Sequence, residues 1–439
     1  MLKYLVTVTE DLLMVTVLIS LCWALCKMAY GHKGTRFVAA GVTVGFLAAL
    51  AMCVAKNTTS KIATNQWNFY IFLVTMALSV LFFIFSLLFG RHHQQLTYYG
   101  SETDAPIGIG GVLLGSTAAA LIVACIFYEG PDVIGYPLGF DTAGNGIISV
   151  NFLVRLVGWL LGILLAVLFG RYLYKCTMTL NHSPLLLTVL NLCLLANLVR
   201  CFGMAVSKWT ARWKWLTWLP TYNKSNYPWA FPLAKFVTNN TLLFVLVIAG
   251  LAMLIPLTLF LRNLKVKGLW ENSAQLRKLK SICRRNRRWA AIAFTLFVVA
   301  VLNLTVVNAY ANRTVELSEP ESYQIVGDSI LIDLEQVNDG TLHRFEYTTE
   351  KKIGVRWIII KKPGAGAYGV GLDACDVCGN GGYYQRGDQV VCKRCDVVMN
   401  INTIGFKGGC NPIPLVYSVQ DGQIIIPLQA VLDAEREFK

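Results

Sequence analysis

Five cysteines near the C-terminus are the residues best equipped for chemistry. Cys375 and Cys378 form one Cys-x-x-Cys pair, and Cys392 and Cys395 form a second after thirteen intervening residues. Cys410 follows in Gly408-Gly409-Cys410-Asn411-Pro412. A two-residue spacer lets both sulfurs of a pair face one point, and two such pairs at this separation are a metal-binding arrangement. Gly379, Gly381, Gly382 and Gly387 permit the tight turns that this needs. Four thiolates suit zinc or an iron–sulfur cluster. Met399, Cys410 and the more distant His343 are further candidate ligands, which leaves a second ion, copper or a five-ligand site open. A different chemistry competes: outside a reducing compartment, thiols become disulfides or exchange as redox pairs. Five is an odd number, so disulfides alone leave one thiol over.

Other patterns are weaker. The remaining eight of the 13 cysteines lie between Cys22 and Cys283, mostly in apolar segments, where a free cysteine acts as a small hydrophobe. Gly364-Ala-Gly366-Ala-Tyr-Gly369 matches G-x-G-x-x-G but opens no helix, so it reads as a loop rather than a dinucleotide site. No Walker sequence or hydrolase motif is present. His32, His92, His93 and His182 fall between apolar segments, which disfavours a bis-histidine haem. Taken alone, His343 reads as a structural histidine in a strand. Glu10, Asp11, Glu129, Asp132 and Asp141 gather towards one side of the apolar segments, with Arg155 and Arg200 inside them. Charge within hydrocarbon is costly and invites a functional reading. Here it is either a cation-concentrating vestibule or an Arg–carboxylate pair with solvated loops.

The elements that must carry these residues follow from composition. The chain has 439 residues, 55% hydrophobic and only 15% charged, with mean hydropathy +0.53. Soluble domains carry roughly 25% charge. Eight apolar runs are long enough to cross a bilayer: 11–30, 37–55, 69–89, 107–128, 150–169, 185–206, 242–261 and 289–310. The first run is too long, and its start too acidic, for a cleaved signal peptide. The glycine pairs Gly41/Gly45, Gly111/Gly115 and Gly158/Gly162 have the spacing of close helix packing. The stretch 207–240 is rich in Trp and Tyr, as an interfacial belt or a re-entrant hairpin would be.

The net charge of +14 is unevenly divided: residues 311–439 contribute −4 and residues 1–310 contribute +18. The excess flanks apolar runs, so it sets membrane orientation and gives no support to nucleic-acid binding. Loops 31–36, 90–106, 170–184 and 262–288 hold 15 Lys+Arg, against 8 in the alternate set. The run RKLKSICRRNRR anchors 262–288 in the cytoplasm, which puts the C-terminal domain outside. After Tyr310 the pattern becomes that of strands. Runs 329–337 and 342–349 flank Asn338-Asp339-Gly340, 355–361 is β-branched, and 417–419 and 423–426 flank Asp421-Gly422. A short helix is expected over 428–438. The expected architecture is a polytopic α-helical membrane domain of about eight helices over 1–310. A small β-rich extracytoplasmic cysteine domain follows over 311–439.

With these residues in hand, the C-terminal domain resembles the FtrD-like family of membrane iron–sulfur proteins. The resemblance rests on Leu342-His343-Arg344-Phe345-Glu346-Tyr347, Asp373-Ala374-Cys375-Asp376-Val377-Cys378-Gly379 and Gly382-Tyr383-Tyr384. It continues in 387–400, from Gly387 through Cys392 and Cys395 to Met399-Asn400, and in 405–414, from Gly405 through Cys410 to Pro414. This covers about a quarter of the chain, roughly 318–415. It implies a bacterial inner-membrane protein that accompanies an iron permease and periplasmic metal-binding or redox partners. It also implies an iron–sulfur site at the cysteines, although this ligand set equally suits mononuclear iron, zinc or copper, and it draws His343, Met399 and Cys410 towards that site. The expected function is an accessory role in iron uptake by electron or metal transfer. A structural zinc module or a thiol–disulfide relay is the alternative.

Overall fold

A computed structural model describes residues 1–439 except 60–61, 91–107, 140–149, 212–216, 267–269, 312–315, 363–365, 377, 387–388, 395–396, 407–409 and 439. The chain divides into two compact units. One comprises Met1–Phe140 and Val150–Asn312, and the other includes Arg313–Lys439.

The first unit is helical. Its elements are α1 (Leu2–Thr58), α2 (Thr64–Phe89), α3 (Ile109–Gly135), α4 (Val150–Leu180), α5 (Ser183–Thr210), α6 (Ala230–Asn239), α7 (Thr241–Ala252), α8 (Leu254–Arg262), α9 (Ser273–Leu302) and α10 (Asn308–Ala311). Among the described residues, seven helices are long and apolar enough to cross a membrane. The eight expected spans fall on these seven because no loop separates the first two, which both lie in the 57-residue α1. A straight helix of that length would run about 85 Å, far beyond a hydrocarbon core of about 30 Å. Instead the backbone leaves helical geometry at Tyr30 and at Gly31, where φ is +59°. The chain folds back there so tightly that a Cβ on Gly34 would run into the Cys26 carbonyl.

The two arms of α1 take different neighbours. On the first arm, Ser20 donates to the Gly170 carbonyl of α4 at 2.8 Å, and Gly162 lies against Val8. On the second arm, a Cβ on Gly41 would meet Ala119 of α3 at 2.8 Å, and Gly115 lies against Phe37. Five of the six glycines singled out by spacing therefore lie close against another helix, with Gly45 packed on Ile126, Gly162 on Val8 and Gly158 on the Met1 backbone among them. α9 begins sixteen residues before its expected apolar run, so the basic segment 277–288 is helical rather than looped. Nothing in it breaks a helix, and Asn272 caps the start by accepting from Gln275 N at 2.9 Å. The aromatic stretch after α5 packs partly on itself, Trp209 meeting Tyr227 at 4.9 Å, before the short α6.

The second unit is β-rich. β1 (Gln324–Val326), β2 (Ser329–Asp333), β9 (Ser418–Gln420) and β10 (Gln423–Pro427) form a sheet ordered β1-β2-β10-β9. β3 (His343–Thr348), β4 (Gly354–Lys361) and β5 (Tyr368–Leu372) form a second, and β6 (Tyr383–Arg386), β7 (Gln389–Cys392) and β8 (Val398–Met399) a third. α11 (Leu428–Asp433) and a 3-10 turn through Phe438 close the chain. The β9–β10 hairpin forms as expected on Asp421 and Gly422, both at positive φ. The other expected hairpin does not. The Asn338-Asp339-Gly340 turn joins β2 to β3, yet β2 pairs with β1 and β10 while β3 pairs with β4. A turn signal fixes a chain reversal, whereas sheet partners are chosen by which apolar faces can be buried. The G-x-G-x-x-G stretch begins outside the described residues and ends in β5 with Tyr368 and Gly369, and Lys362 N bonds Ala367 O at 2.9 Å.

Strand alternation in β4 divides this unit into two cores. Val355, Trp357 and Ile359 face one, with Phe345 stacked on Trp357 at 5.9 Å. Ile358 and Ile360 face the other, which holds Cys375, Cys378, Cys392, Tyr383 and Met399.

Candidate metal centre

The first cysteine pair sits in a tight turn just after β5. Cys375 N and Gly379 O bond at 3.1 Å, and Gly379 N and Cys375 O at 2.9 Å. Gly379 has φ +66°. Inside that turn Cys378 N donates to the Cys375 sulfur at 3.1 Å, so the backbone already offers hydrogen to a thiolate. Cys392 ends β7 and is directly opposite Tyr383 of β6. Arg394 ties the two knuckles together by donating to Cys378 O at 2.7 Å.

The sulfurs of Cys375, Cys378 and Cys392 lie within 4.8 Å of one another, and all three residues are buried. On one tetrahedral zinc with bonds of about 2.3 Å, thiolate sulfurs would be about 3.8 Å apart. The donor set therefore fits a soft metal or cluster after a small contraction. The fourth expected ligand, Cys395, lies outside the described residues. Met399, buried in β8, packs into the same core.

Cys410 is half-buried against this core but is not one of the three clustered sulfurs. Its loop is held to the site at both ends. Tyr383 donates its hydroxyl to Cys410 O at 2.7 Å, and Leu372 N bonds Ile413 O at 2.7 Å. Segment 412–414 runs so close to β5 that a Cβ on Gly371 would meet Pro412 at 2.8 Å. Burial and the neighbouring Cys375 push the Tyr383 hydroxyl well above the usual phenol range.

His343 is not brought to the cysteines. It pairs with Ile359, so its side chain falls on the opposite face of the β3–β4 sheet. Both ring nitrogens are already engaged: Nδ1 lies 2.9 Å from Glu321 and Nε2 lies 2.8 Å from Asp339. The His343 contact, together with hydrogen bonds from Thr341, holds the Asp339 carboxyl down at about 2. In Leu342-His343-Arg344 the alternation sends the next residue to the metal side instead.

That residue, Arg344, is one that sequence reading missed. It is 1% exposed and donates to Asp373 Oδ2 at 3.1 Å, to Ser318 O at 2.8 Å and to the Tyr383 carbonyl. Asp373 in turn accepts from Tyr383 N at 2.7 Å and lies 3.5 Å from Arg356. Burial raises the Asp373 carboxyl, and the two arginines and the Tyr383 N–H oppose that rise. This buried ion pair locks the strand that carries Tyr383 beneath the first knuckle. Its sequence signals were the position of Arg344 in an alternating strand and the place of Arg344 and Asp373 in the runs that carry the FtrD-like resemblance.

Fold and site together define a multi-pass helical membrane protein bearing a compact β-rich domain with a buried thiol cluster. Residues 337–438 match the family model described as membrane iron-sulfur containing protein FtrD-like, so the C-terminal domain is FtrD-like. No match was found among curated proteins or among solved structures.

Proposed function

We propose that this protein is an accessory membrane component of bacterial iron uptake. Its cysteine domain binds a redox metal or iron–sulfur centre and passes electrons or metal to partners. The observation that carries this reading is the convergence of three buried sulfurs within 4.8 Å in a domain that is FtrD-like. Cys375, Cys378 and Cys392 would hold the centre, with Cys395 as the fourth thiolate and Met399 and Cys410 at its edge. Three sulfurs this close share one metal ion more readily than they serve separate irons of a cubane. A thiolate-bound iron centre supplies one-electron transfer, and its potential responds to hydrogen bonds on sulfur such as that from Cys378 N. The partners would be an iron permease and metal-binding or redox proteins outside the inner membrane. The charge distribution in the loops supports a C-terminal domain on that side.

The test is anaerobic purification of the full chain, followed by absorption spectra, elemental analysis and thiol titration. Visible charge-transfer bands with bound iron are expected. A colourless protein with stoichiometric zinc would make the domain a structural module. Few free thiols and no metal would make it a disulfide relay. Unchanged iron uptake in cells carrying Cys375→Ser, Cys378→Ser and Cys392→Ser together would remove the transport link.

A further inference from the structure

The helical unit holds a second group of polar and charged side chains, well inside α5 from either end. Arg200 lies only three to four residues past the middle of this 28-residue helix, or about 5 Å along its axis. Its side chain is 8% exposed. It pairs with Glu129 of α3 at 3.4 Å, donates from Nε to Asn197 Oδ1 at 3.4 Å, and lies 5.7 Å from the Tyr128 ring. Asn197 is fully buried. Its oxygen also accepts from the Cys201 thiol at 3.7 Å, which fixes the amide's orientation, and its Nδ2 has no partner among the described residues. A buried N–H₂ with nothing to donate to is rare and asks for an oxygen acceptor.

The surroundings narrow the acceptor. Nearby carboxylates are in excess: Glu10 accepts from Thr241 at 3.4 Å and Asp11 from Tyr136 at 2.8 Å, while Lys56 pairs with Asp132. An anionic head group would be repelled there. One wall is aromatic, with Tyr128 against the buried Phe72 of α2 at 4.8 Å. A cavity of about 410 Å³ lies between α2 and α5, lined by residues that include Ser79, Phe83, Asn191, Leu194 and Leu198. Asn197, Glu129, Phe72 and Tyr128 do not line this cavity but lie beside it: Leu194 and Leu198 are within one turn of Asn197, and Ser79 continues the helix face of Phe72 and Met76 at i+3 and i+4 spacing. Phe83 is 40% exposed and Leu195 is 56% exposed, so the cavity opens where lipid would be.

We propose that α2, α3 and α5 bind a membrane-soluble quinone or quinol. A ring carbonyl accepts from Asn197 Nδ2, and a quinol hydroxyl donates to the Glu129 carboxylate. The ring packs by Phe72 and Tyr128, and the isoprenoid tail lies in the α2–α5 cavity. The proposal concerns binding and rests on the helical unit alone, independently of the metal centre.

The experiment uses the full chain in phosphatidylethanolamine–phosphatidylglycerol nanodiscs. Decylubiquinone and its quinol are titrated, with tryptophan fluorescence quenching as one readout and calorimetry as the other. Saturable binding is expected, and Asn197→Leu should weaken it about tenfold. If that variant does not fold, Asn197→Asp removes the same donor with little change of shape and should show the same loss. Glu129→Gln should weaken the quinol more than the quinone, and tailless duroquinone should bind less tightly than decylubiquinone. The triple serine variant of Cys375, Cys378 and Cys392 should bind the quinone like the parent. The proposal is overturned by the absence of saturable binding in the parent, by parental affinity in the Asn197 variants, or by loss of binding in the triple serine variant.

Discussion

Single side chains in the β-rich unit have roles that substitution can separate. Replacing Cys375, Cys378 or Cys392 with serine removes a sulfur from the cluster. Each variant should lose most of its bound metal by elemental analysis, whereas His343→Ala should keep the parental content because its ring lies on the far face of the sheet. Parental metal content in all three serine variants would refute the cluster as a ligand set. His343 has a different job, bridging Glu321 and Asp339. With its carboxyl held down at about 2 against an ordinary 3.8, Asp339 adds stability at pH values above about 4. That contribution fades as pH falls from there through 2. In His343→Ala the Asp339 carboxyl should titrate nearer its ordinary value, as read by NMR, and the acid unfolding midpoint should move to higher pH. An unmoved Asp339 titration would show that the histidine contact is not its cause.

Elements in this unit are held by a few inflexible points. Gly382 precedes β6 with φ +82°, and a Cβ there would meet Leu317 at 2.7 Å and Asp373 at 3.0 Å. Gly382→Ala should therefore cost about 1–3 kcal/mol in denaturant unfolding and loosen the strand that faces Cys392. A smaller effect than a surface alanine control would mean that the backbone relaxes at that position. The Arg344–Asp373 pair is buried on both sides, with side chains 1% and 0% exposed. Arg344→Met strands Asp373 beside Arg356 alone, and truncating one partner of a buried pair costs about 3–5 kcal/mol. The double variant Arg344→Met, Asp373→Leu should recover part of that loss in a thermal melt, since no unpaired charge remains. In the helical unit, the reversal at Gly31 does the work of a loop. It lets one unbroken stretch of helix-forming sequence supply two arms, one packed on α4 and the other on α3.

At the level of the whole molecule, the charge map predicts sidedness. Residues 262–288 carry 10 Lys+Arg, and much of that charge rides on the helical start of α9. A basic segment of this density stays on the cytoplasmic side, so a reporter fused after Lys439 should be active only outside the cytoplasm. Activity of a cytoplasm-dependent reporter at that position would reverse the orientation. Replacing Arg284, Arg285, Arg287 and Arg288 with glutamine should produce a mixed population of orientations.

The sequence by itself determined the membrane class, the approximate positions of the spans and the change to strands after Tyr310. Hydrocarbon imposes a length and polarity that each segment must meet on its own. It also determined the first cysteine knuckle, because the Cys375–Gly379 turn is closed by its own backbone. Only the tertiary structure decided what depends on distant partners. The first two spans became two arms folded on each other, since one residue at positive φ, Gly31, reverses the chain where the loop 31–36 is expected. His343 went to the wrong face for the thiols and Arg344 to the right one, because β3 pairs with β4 rather than with β2. Asn197, Arg200 and Glu129 met because α3 and α5 both pack against α2. Local patterns report what a residue does to its own segment, whereas a site depends on which segments find burial together.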